Sequence, residues 1–505
     1  MKKKVMCIGI ISILLLLSTG ATAITTKSNT NSDNFYVDDD WLGLEDGTEV
    51  TVRGNPYVIG VDAFAKIQDA IDATNGASIT ILDGEYNEDL EIKDKTVHLT
   101  GENEKYPLIT GTLKLEESDQ PRIIGLSFYY EDDEEDYETD CCILLLSSSG
   151  CKIINNKIET VNCECGIAIG SILPLKPSEG NEITDNIINS NIDDYDDRNN
   201  PSISLGLGSK SNKITDNEIT RSGIGVELTY GALDNDVVNN VFTHCFTSIY
   251  VEKIENPLVP TPETENNKIY ENHIYITEEE TTSDYTGIKI SANNNIVHDN
   301  VIDVVTEYNE ASSYGIRVSP GNDNEVYKNT ITNAEVGIKI YTEYAFLLKE
   351  DTKRNEIYKN EISNCVNGLA LSGRGVQENN IWGNTVEYNE YGIYVYNSGD
   401  GSAQNNVIYW NNFIDNEIYN AYDTTAENKN VYRSDRQTEG NYWSDWDGEG
   451  AYVIEPGNTL DPYPLEKPWE GGGKSKTKPV NHDLIQSLTT RFPVIANLLH
   501  FLQKF

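Results

Sequence analysis

The sequence predicts an all-β protein: a right-handed single-stranded parallel β-helix with an N-terminal capping helix and a short C-terminal helical tail. Three observations carry that expectation. The pattern N-x-(I/V)-x-x-N-x-(I/V/F) occurs ten times, its second Asn at Asn156, Asn186, Asn217, Asn240, Asn272, Asn300, Asn329, Asn360, Asn384 and Asn411, with Cys151 in the first Asn place of the first copy. A second signature, Gly-(I/L)-x-(I/V/L), follows at Gly166, Gly223, Gly287, Gly315, Gly337, Gly368 and Gly392, and Ser248 takes the glycine place in the Asn240 copy. Within the copies, β-branched apolar residues alternate with polar ones and Gly or Asn marks the breaks, which says strand and turn rather than helix.

Successive copies are 23 to 32 residues apart. A unit that short cannot bury its apolar face alone and must stack on its neighbours. Three short strands and three turns make one rung, each strand pairing with its equivalent one rung on, about 4.8 Å away. Ile357 is then expected over Val326 and under Ile381, and each buried aliphatic contributes about 1.5–3 kcal/mol. The paired asparagines read as structural: Asn tolerates the left-handed backbone of a sharp bend, and its amide donates and accepts along a stack. Five residues past the second Asn stand Asn191, Ser222, Cys245, Thr277, Cys365, Asn389 and Asn416, a further inward column in which Cys245 and Cys365 are expected to be buried.

In chain order, residues 1–23 read as a signal peptide, with three lysines, an apolar run and Ala21-Thr22-Ala23 at the expected cut. A lead-in covers 24–54. The β-helix domain with its two caps covers 55–470, and in it Asp62–Thr74 carries an N-cap candidate with Phe64, Ile67, Ala70 and Ile71 at helical spacing. At the far end, Gly440–Gly450 and Asp461–Glu470 are aromatic and turn-rich, suited to covering the last rung. Residues 471–480 read as a linker. Residues 481–505 form an amphipathic tail interrupted by Pro493, too short to span a bilayer and suited to docking on a partner or a membrane surface.

Composition narrows the function classes. The 505 residues carry a formal charge of −44, and loss of Lys2, Lys3 and Lys4 with the leader takes this to −47 (−44 − 3). Such a field repels nucleic acid and anionic lipid. No stretch after the leader is long and apolar enough for a transmembrane span. The chain is therefore expected to be exported, to the cell surface or the extracellular medium. Seven of the eight cysteines follow the leader, an odd number, and five crowd together at Cys141, Cys142, Cys151, Cys163 and Cys165. One or two local disulfides plus buried thiols are expected, since Cys163-x-Cys165 lacks zinc-ribbon spacing.

The motifs IQDAIDAT, the N-x-I-x-x-N-x-I rungs with G-I-x-V, and the closing GNYWSD with PYPL resemble the NosD-type, or CASH-type, group of right-handed β-helix proteins of the pectin-lyase-like superfamily, over roughly residues 55 to 467. The resemblance implies the fold; the superfamily includes lyases, hydrolases, epimerases, adhesins and binding modules. Some members of the group are linked with copper delivery to a periplasmic reductase. Here the only methionines, Met1 and Met6, leave with the leader and the six histidines are scattered, so copper handling is not expected.

Two outward columns are the candidate sites. One residue past the first aliphatic of each copy, the column turns aromatic from Tyr270 through His298, Tyr327, Tyr358, Trp382 and Tyr409: either the rings pack on one another or lie under a loop or the C-terminal tail, or they form a flat surface on which sugar rings could lie. In the second signature, the place between the aliphatics holds Lys289, Arg317 and Lys339 in three successive rungs, flanked by Tyr250 and Tyr394. These cations could hold a uronate or sulfate, or pair with acidic residues such as Glu278, Glu279 and Glu280. No cofactor is expected; calcium is the one candidate cation, at Asp193, Asp194, Asp196 and Asp197 in an acidic insertion. No recognisable catalytic constellation stands out. The leading expectation is non-catalytic binding of a polysaccharide or other surface polymer. The alternatives are a polysaccharide lyase, with Arg317 or a neighbouring lysine as base, or a glycoside hydrolase, and beyond these a structural surface or adhesin component.

Overall fold

The computed structural model describes residues 34–471 except 103–104, 132–140, 172–175, 192–198, 255–261, 279–283, 307–311, 343–350, 399–400, 426–428, 435–437 and 458. The leader, most of the linker, the tail and the acidic Asp193, Asp194, Asp196 and Asp197 lie outside the described residues. The chain divides into a compact unit ending at Trp469 and a second unit from Glu470 onward.

The chain winds through three parallel sheets of 15, 14 and 13 strands. A single rung shows the plan: Glu325–Tyr327 lies in the first sheet, Thr330–Thr332 in the second and Val336–Tyr341 in the third. Each pairs in register with its equivalent one rung on, so Val326 faces Ile357 and Ile357 faces Ile381. All three are fully buried in one hydrophobic core that runs from Phe35 to Ile454. The expected stacking is the stacking found.

The asparagines form two buried ladders at successive corners. In the second of them Asn329 donates its backbone N–H (3.0 Å) and its amide Nδ2 (3.0 Å) to Oδ1 of Asn360, which does the same to Asn384 (2.9 and 2.9 Å). Each amide also donates to a core-strand carbonyl, as Asn360 does to Val326 (2.9 Å). The asparagine-to-asparagine bonds all run from one rung to the next one on, while the bond to the core-strand carbonyl runs back to the rung before. The left-handed backbone expected of the asparagine belongs instead to the residue before it: Asp299, Lys328 and Lys359 have φ of +54°, +54° and +58°. The asparagine supplies the ladder and its neighbour supplies the bend. Of the further inward column, Ser222, Cys245, Cys365 and Asn389 are buried, whereas Thr277 is exposed and Asn191 and Asn416 are half-buried.

The glycines of the second signature sit where sheets pack closest. A Cβ on Gly287 would lie 2.6 Å from the Gly315 carbonyl oxygen and 2.7 Å from Cγ2 of Ile302. One copy shifts in frame: Ile203 pairs with Val226, so the equivalent glycine is Gly225, in Gly225-Val226-Glu227-Leu228, rather than Gly223. The pattern selects Gly223 because Val226 stands where it asks for Ile or Leu, and a slip of two keeps every side chain on its face.

At the N-terminal end the expected helix is shorter than Asp62–Thr74. Helix α1 spans Ile67–Ala73, and Ala63–Phe64 is strand. Asp62 does not cap it; its carboxylate accepts from the Val58 N–H (2.6 Å). The cap is a carboxylate from another rung, Glu88, accepting from the N–H groups of Ile67 (2.9 Å) and Gln68 (3.1 Å). Within the 24–54 lead-in, Asn34–Val37 already pairs with Ser78–Ile81 in the first sheet. At the C-terminal end Trp443 is buried, stacked on Phe413 (4.6 Å) and Tyr452 (4.3 Å). The carboxylate of Asp461 accepts from the backbone N–H of Asn441 (2.7 Å) and from Nε1 of Trp443 (3.0 Å), which ends the asparagine ladder. All seven cysteines after the leader are thiols rather than disulfides. Burial pushes the thiols of Cys151 and Cys365 up to about 12.

Asn360→Ala removes the acceptor of two donors on Asn329 and should lower the unfolding free energy by about 2–4 kcal/mol in urea titration. Lys359→Gly, which keeps the ladder and relieves a left-handed side chain, should stay within about 1 kcal/mol of the parent.

Candidate functional site on the third sheet

The aromatic column forms as the spacing requires, but the rings stack on one another. Tyr270 and His298 are 5.0 Å apart with planes 4° from parallel; His298 to Tyr327 is 4.8 Å and 2°, Tyr327 to Tyr358 4.8 Å and 15°, Tyr358 to Trp382 4.6 Å and 3°. Trp382 continues to Tyr409 at 6.3 Å, and Trp469 meets its edge at 6.1 Å. A face used by the next rung is closed to a sugar, so of the two arrangements expected of this column the rings adopt the packing of one upon another. Its outward groups are tied to acidic neighbours: the Tyr358 hydroxyl donates to Glu325 (3.0 Å) and Trp382 Nε1 to Glu356 (2.9 Å). Burial and the Glu325 contact push the Tyr358 hydroxyl well above the ordinary tyrosine range.

The other column behaves differently. Along the middle of the third sheet the outward residues run Ser204, Glu227, Tyr250, Lys289, Arg317, Lys339, Ala370, Tyr394 and Tyr422, each in register with the next. The three cations lie against tyrosines contributed by the same sheet. Lys289 Nζ is 4.4 Å from the Tyr250 ring centre; the Arg317 guanidinium is 4.4 Å from Tyr314 and 5.0 Å from Tyr341; Lys339 Nζ is 4.8 and 4.9 Å from the same two rings. Arg317 also donates to the Tyr341 hydroxyl and stands 3.9 Å from the exposed Asp284. Asp284 is thus one acidic neighbour of the column, and Glu279 and Glu280, also expected to pair with it, lie outside the described residues. Towards the C-terminal cap the face continues as a tyrosine cluster, with Tyr391, Tyr396 and Tyr422 at 5.4, 5.0 and 5.6 Å from Tyr394.

The segments 132–140, 192–198, 279–283 and 307–311 precede third-sheet strands, and 172–175, 255–261 and 343–350 follow them. From Cys151 and Asn156 to Asn406 and Asn411 the corner between the first and second sheets keeps its five-residue spacing, as from Asn324 to Asn329, and in the last rung it widens to eleven, from Asn430 to Asn441.

The frame shift at Gly225 brings in a residue the signature did not expose. Glu227 occupies the same outward column as the cations, partly accessible yet surrounded by protein. Desolvation pushes its carboxyl up to about 7, offset in part by a hydrogen bond from the Ser204 hydroxyl (2.9 Å) and reinforced by Glu252. Glu252 in turn accepts from the Tyr250 hydroxyl (2.7 Å). With its folded pKa above the ordinary 4.5, Glu227 holds its proton more tightly folded than unfolded, so its contribution to stability falls as pH rises from about 4.5 through 7. Glu227→Gln should therefore raise the unfolding free energy by about 1–3 kcal/mol at pH 8 and leave it unchanged at pH 4, read as paired denaturation curves.

Residues 341–448 match the family model described as periplasmic copper-binding protein (NosD). The donor set does not fit a copper centre. Both methionines lie outside the described residues, His298 is held between Tyr270 and Tyr327, and His244 bonds the Thr277 hydroxyl (3.3 Å). Among the described residues, the one group of three or more His, Cys, Asp or Glu with close ligand atoms is Asp38, Asp39 and Asp40, hard oxygen donors. No described helix is long and apolar enough to cross a membrane.

No curated protein matches the chain. Among solved structures, the catalytic domain of a GH87 alpha-1,3-glucanase variant in complex with tetrasaccharides is similar at 13% identity and a TM-score of 0.50, covering 83% of this chain and 71% of that one. A periplasmic alginate epimerase matches at 12% identity, TM-score 0.40, over 61% and 81%. The Dettilon tailspike protein matches at 14%, TM-score 0.43, over 63% and 62%. At such identities the likeness is one of fold. The rung signatures and the three parallel sheets make this chain a right-handed parallel β-helix repeat protein, of which one part, residues 341–448, is similar to the NosD family.

Proposed function

We propose that the protein is an exported β-helix that binds an acidic polysaccharide along the outward face of the third sheet, without cleaving it. The observation that carries this reading is the run of Lys289, Arg317 and Lys339 on three consecutive rungs of one face, on a chain whose formal charge is −44. Cations one rung apart recur every ~4.8 Å along the coil axis. An extended polymer lying along that axis meets them one after another. The tyrosines on either side hold the cations in place and offer rings to the sugars between the acidic groups. Export is supported by the leader-like residues 1–23 and by the periplasmic description of the matching family model.

Affinity electrophoresis or calorimetry with uronate-containing and neutral polysaccharides tests the proposal. The uronate polymers should bind, more weakly at high salt, and Lys289→Ala or Lys339→Ala should each cost about tenfold in affinity. Tyr327→Ala, in the stacked column, should leave affinity unchanged. Equal binding of neutral and acidic polymers, or full affinity in the Lys289→Ala/Lys339→Ala double variant, would reject this face.

One observation favours a second reading, cleavage of the bound polymer. Glu227 carries a carboxyl that still holds a proton near neutrality, on the same column as the cations. If cleavage occurs, uronate polymers incubated with the wild-type protein yield new reducing ends or unsaturated products, and Glu227→Gln abolishes them while binding persists. Intact polymer after prolonged incubation leaves the binding reading alone.

A further inference from the structure

The crowded cysteines are not equivalent once placed on the coil. Cys141 begins the strand Cys141–Leu146 and Cys165 begins Cys165–Gly170, adjacent strands of the third sheet, and the two residues pair directly in register. Neighbouring strands lie about 4.7–4.9 Å apart, inside the 4.4–6.8 Å range of Cα separations that a disulfide accepts. Their side chains lie on the same side of the sheet, and the Cys165 thiol donates to the Ile167 carbonyl oxygen of its own strand (3.2 Å). They differ in access: Cys141 is half-buried, whereas Cys165 is only 5% exposed and its thiol is held well above the ordinary range, chiefly by burial. Cys142 and Cys151 are buried in the core. Cys163 sits one turn before the strand, its Sγ 3.0 Å from the Cys165 carbonyl oxygen.

We propose that Cys141 and Cys165 are a cross-rung dithiol site that closes to a disulfide by exchange with a low-molecular-weight disulfide. The Cys141 thiolate attacks one sulfur of the reagent, the S–S bond of the reagent breaks and one thiolate leaves. Cys165 then gives up its proton and attacks the Cys141 sulfur of the mixed disulfide, expelling the second thiolate. Two protein thiols are oxidised and one external disulfide is reduced to two thiols. The order follows from access, because Cys141 is the half-exposed partner and Cys165 resolves. The bond would fasten two consecutive rungs at the point where segment 132–140 joins the coil, closing a loop in the unfolded chain. It is independent of what the third-sheet face binds.

The test is exchange of the full chain with oxidised glutathione, followed by mass spectrometry without reduction. The wild-type chain should lose two hydrogens, reversibly with dithiothreitol, and fragment ions should assign the link to Cys141 and Cys165. Its denaturation midpoint should rise on oxidation. Cys165→Ser should trap glutathione on Cys141 as a persistent adduct, and Cys141→Ser should neither form the link nor take up glutathione at Cys165. A chain that stays fully reduced, a link assigned to Cys142 and Cys163 instead, or a Cys165→Ser variant without adduct would each overturn the proposal.

Discussion

A coil of this kind stands or falls on what happens at its corners. Where the backbone turns from the first sheet into the second, N–H groups point into an interior that holds no competing solvent. They need partners that recur once per rung. The asparagine amide is suited to this because it offers an acceptor to the rung before and a donor to the rung after, as the chain of Asn329, Asn360 and Asn384 shows. The constraint is severe at that corner and slack elsewhere. Spacing there is fixed across the ten copies of the signature, and within them the variation in rung length falls before and after the third-sheet strands. The same demand that organises the core therefore decides which face can acquire chemistry.

Much of this was legible beforehand because a repeat writes its spatial neighbours as sequence equivalents. The pairing of Ile357 with Val326 and Ile381 follows from pattern alone, as does the existence of both outward columns. What the pattern left open depends on backbone angles and three-dimensional packing. Nothing in the letters says that the left-handed residue is Lys359 rather than Asn360, since a well-supported turn tolerates lysine there. Helix α1 starts late because its cap, Glu88, comes from another rung, beyond the reach of a local capping rule. Glu227 escaped because the strict signature fits Gly223 two residues earlier, and strand register places Gly225 in the equivalent position. Its elevated protonation is a property of its surroundings, invisible in composition.

The two outward columns show how one register yields opposite outcomes. Planar side chains one rung apart come to rest face to face, gaining contact with each other and withdrawing their faces from anything outside. Cations in the same arrangement repel, so the sheet places Tyr250, Tyr314 and Tyr341 beside them. The first column is satisfied internally. The second keeps a local positive stripe on a strongly anionic surface, a contrast that long-range repulsion by the rest of the molecule would sharpen towards ligands able to bridge several cations together.

The one-way hydrogen bonding of the asparagine ladder has a bearing on assembly. A column whose asparagine-to-asparagine bonds all run in the same direction ends in an unanswered donor, for which another molecule's corner is one source of an acceptor. Here Asp461 already occupies that place, and α1 sits over the opposite mouth. Head-to-tail growth into a filament is thereby closed off at both ends, and a stack of strands with the internal order of an amyloid is kept to a finite length.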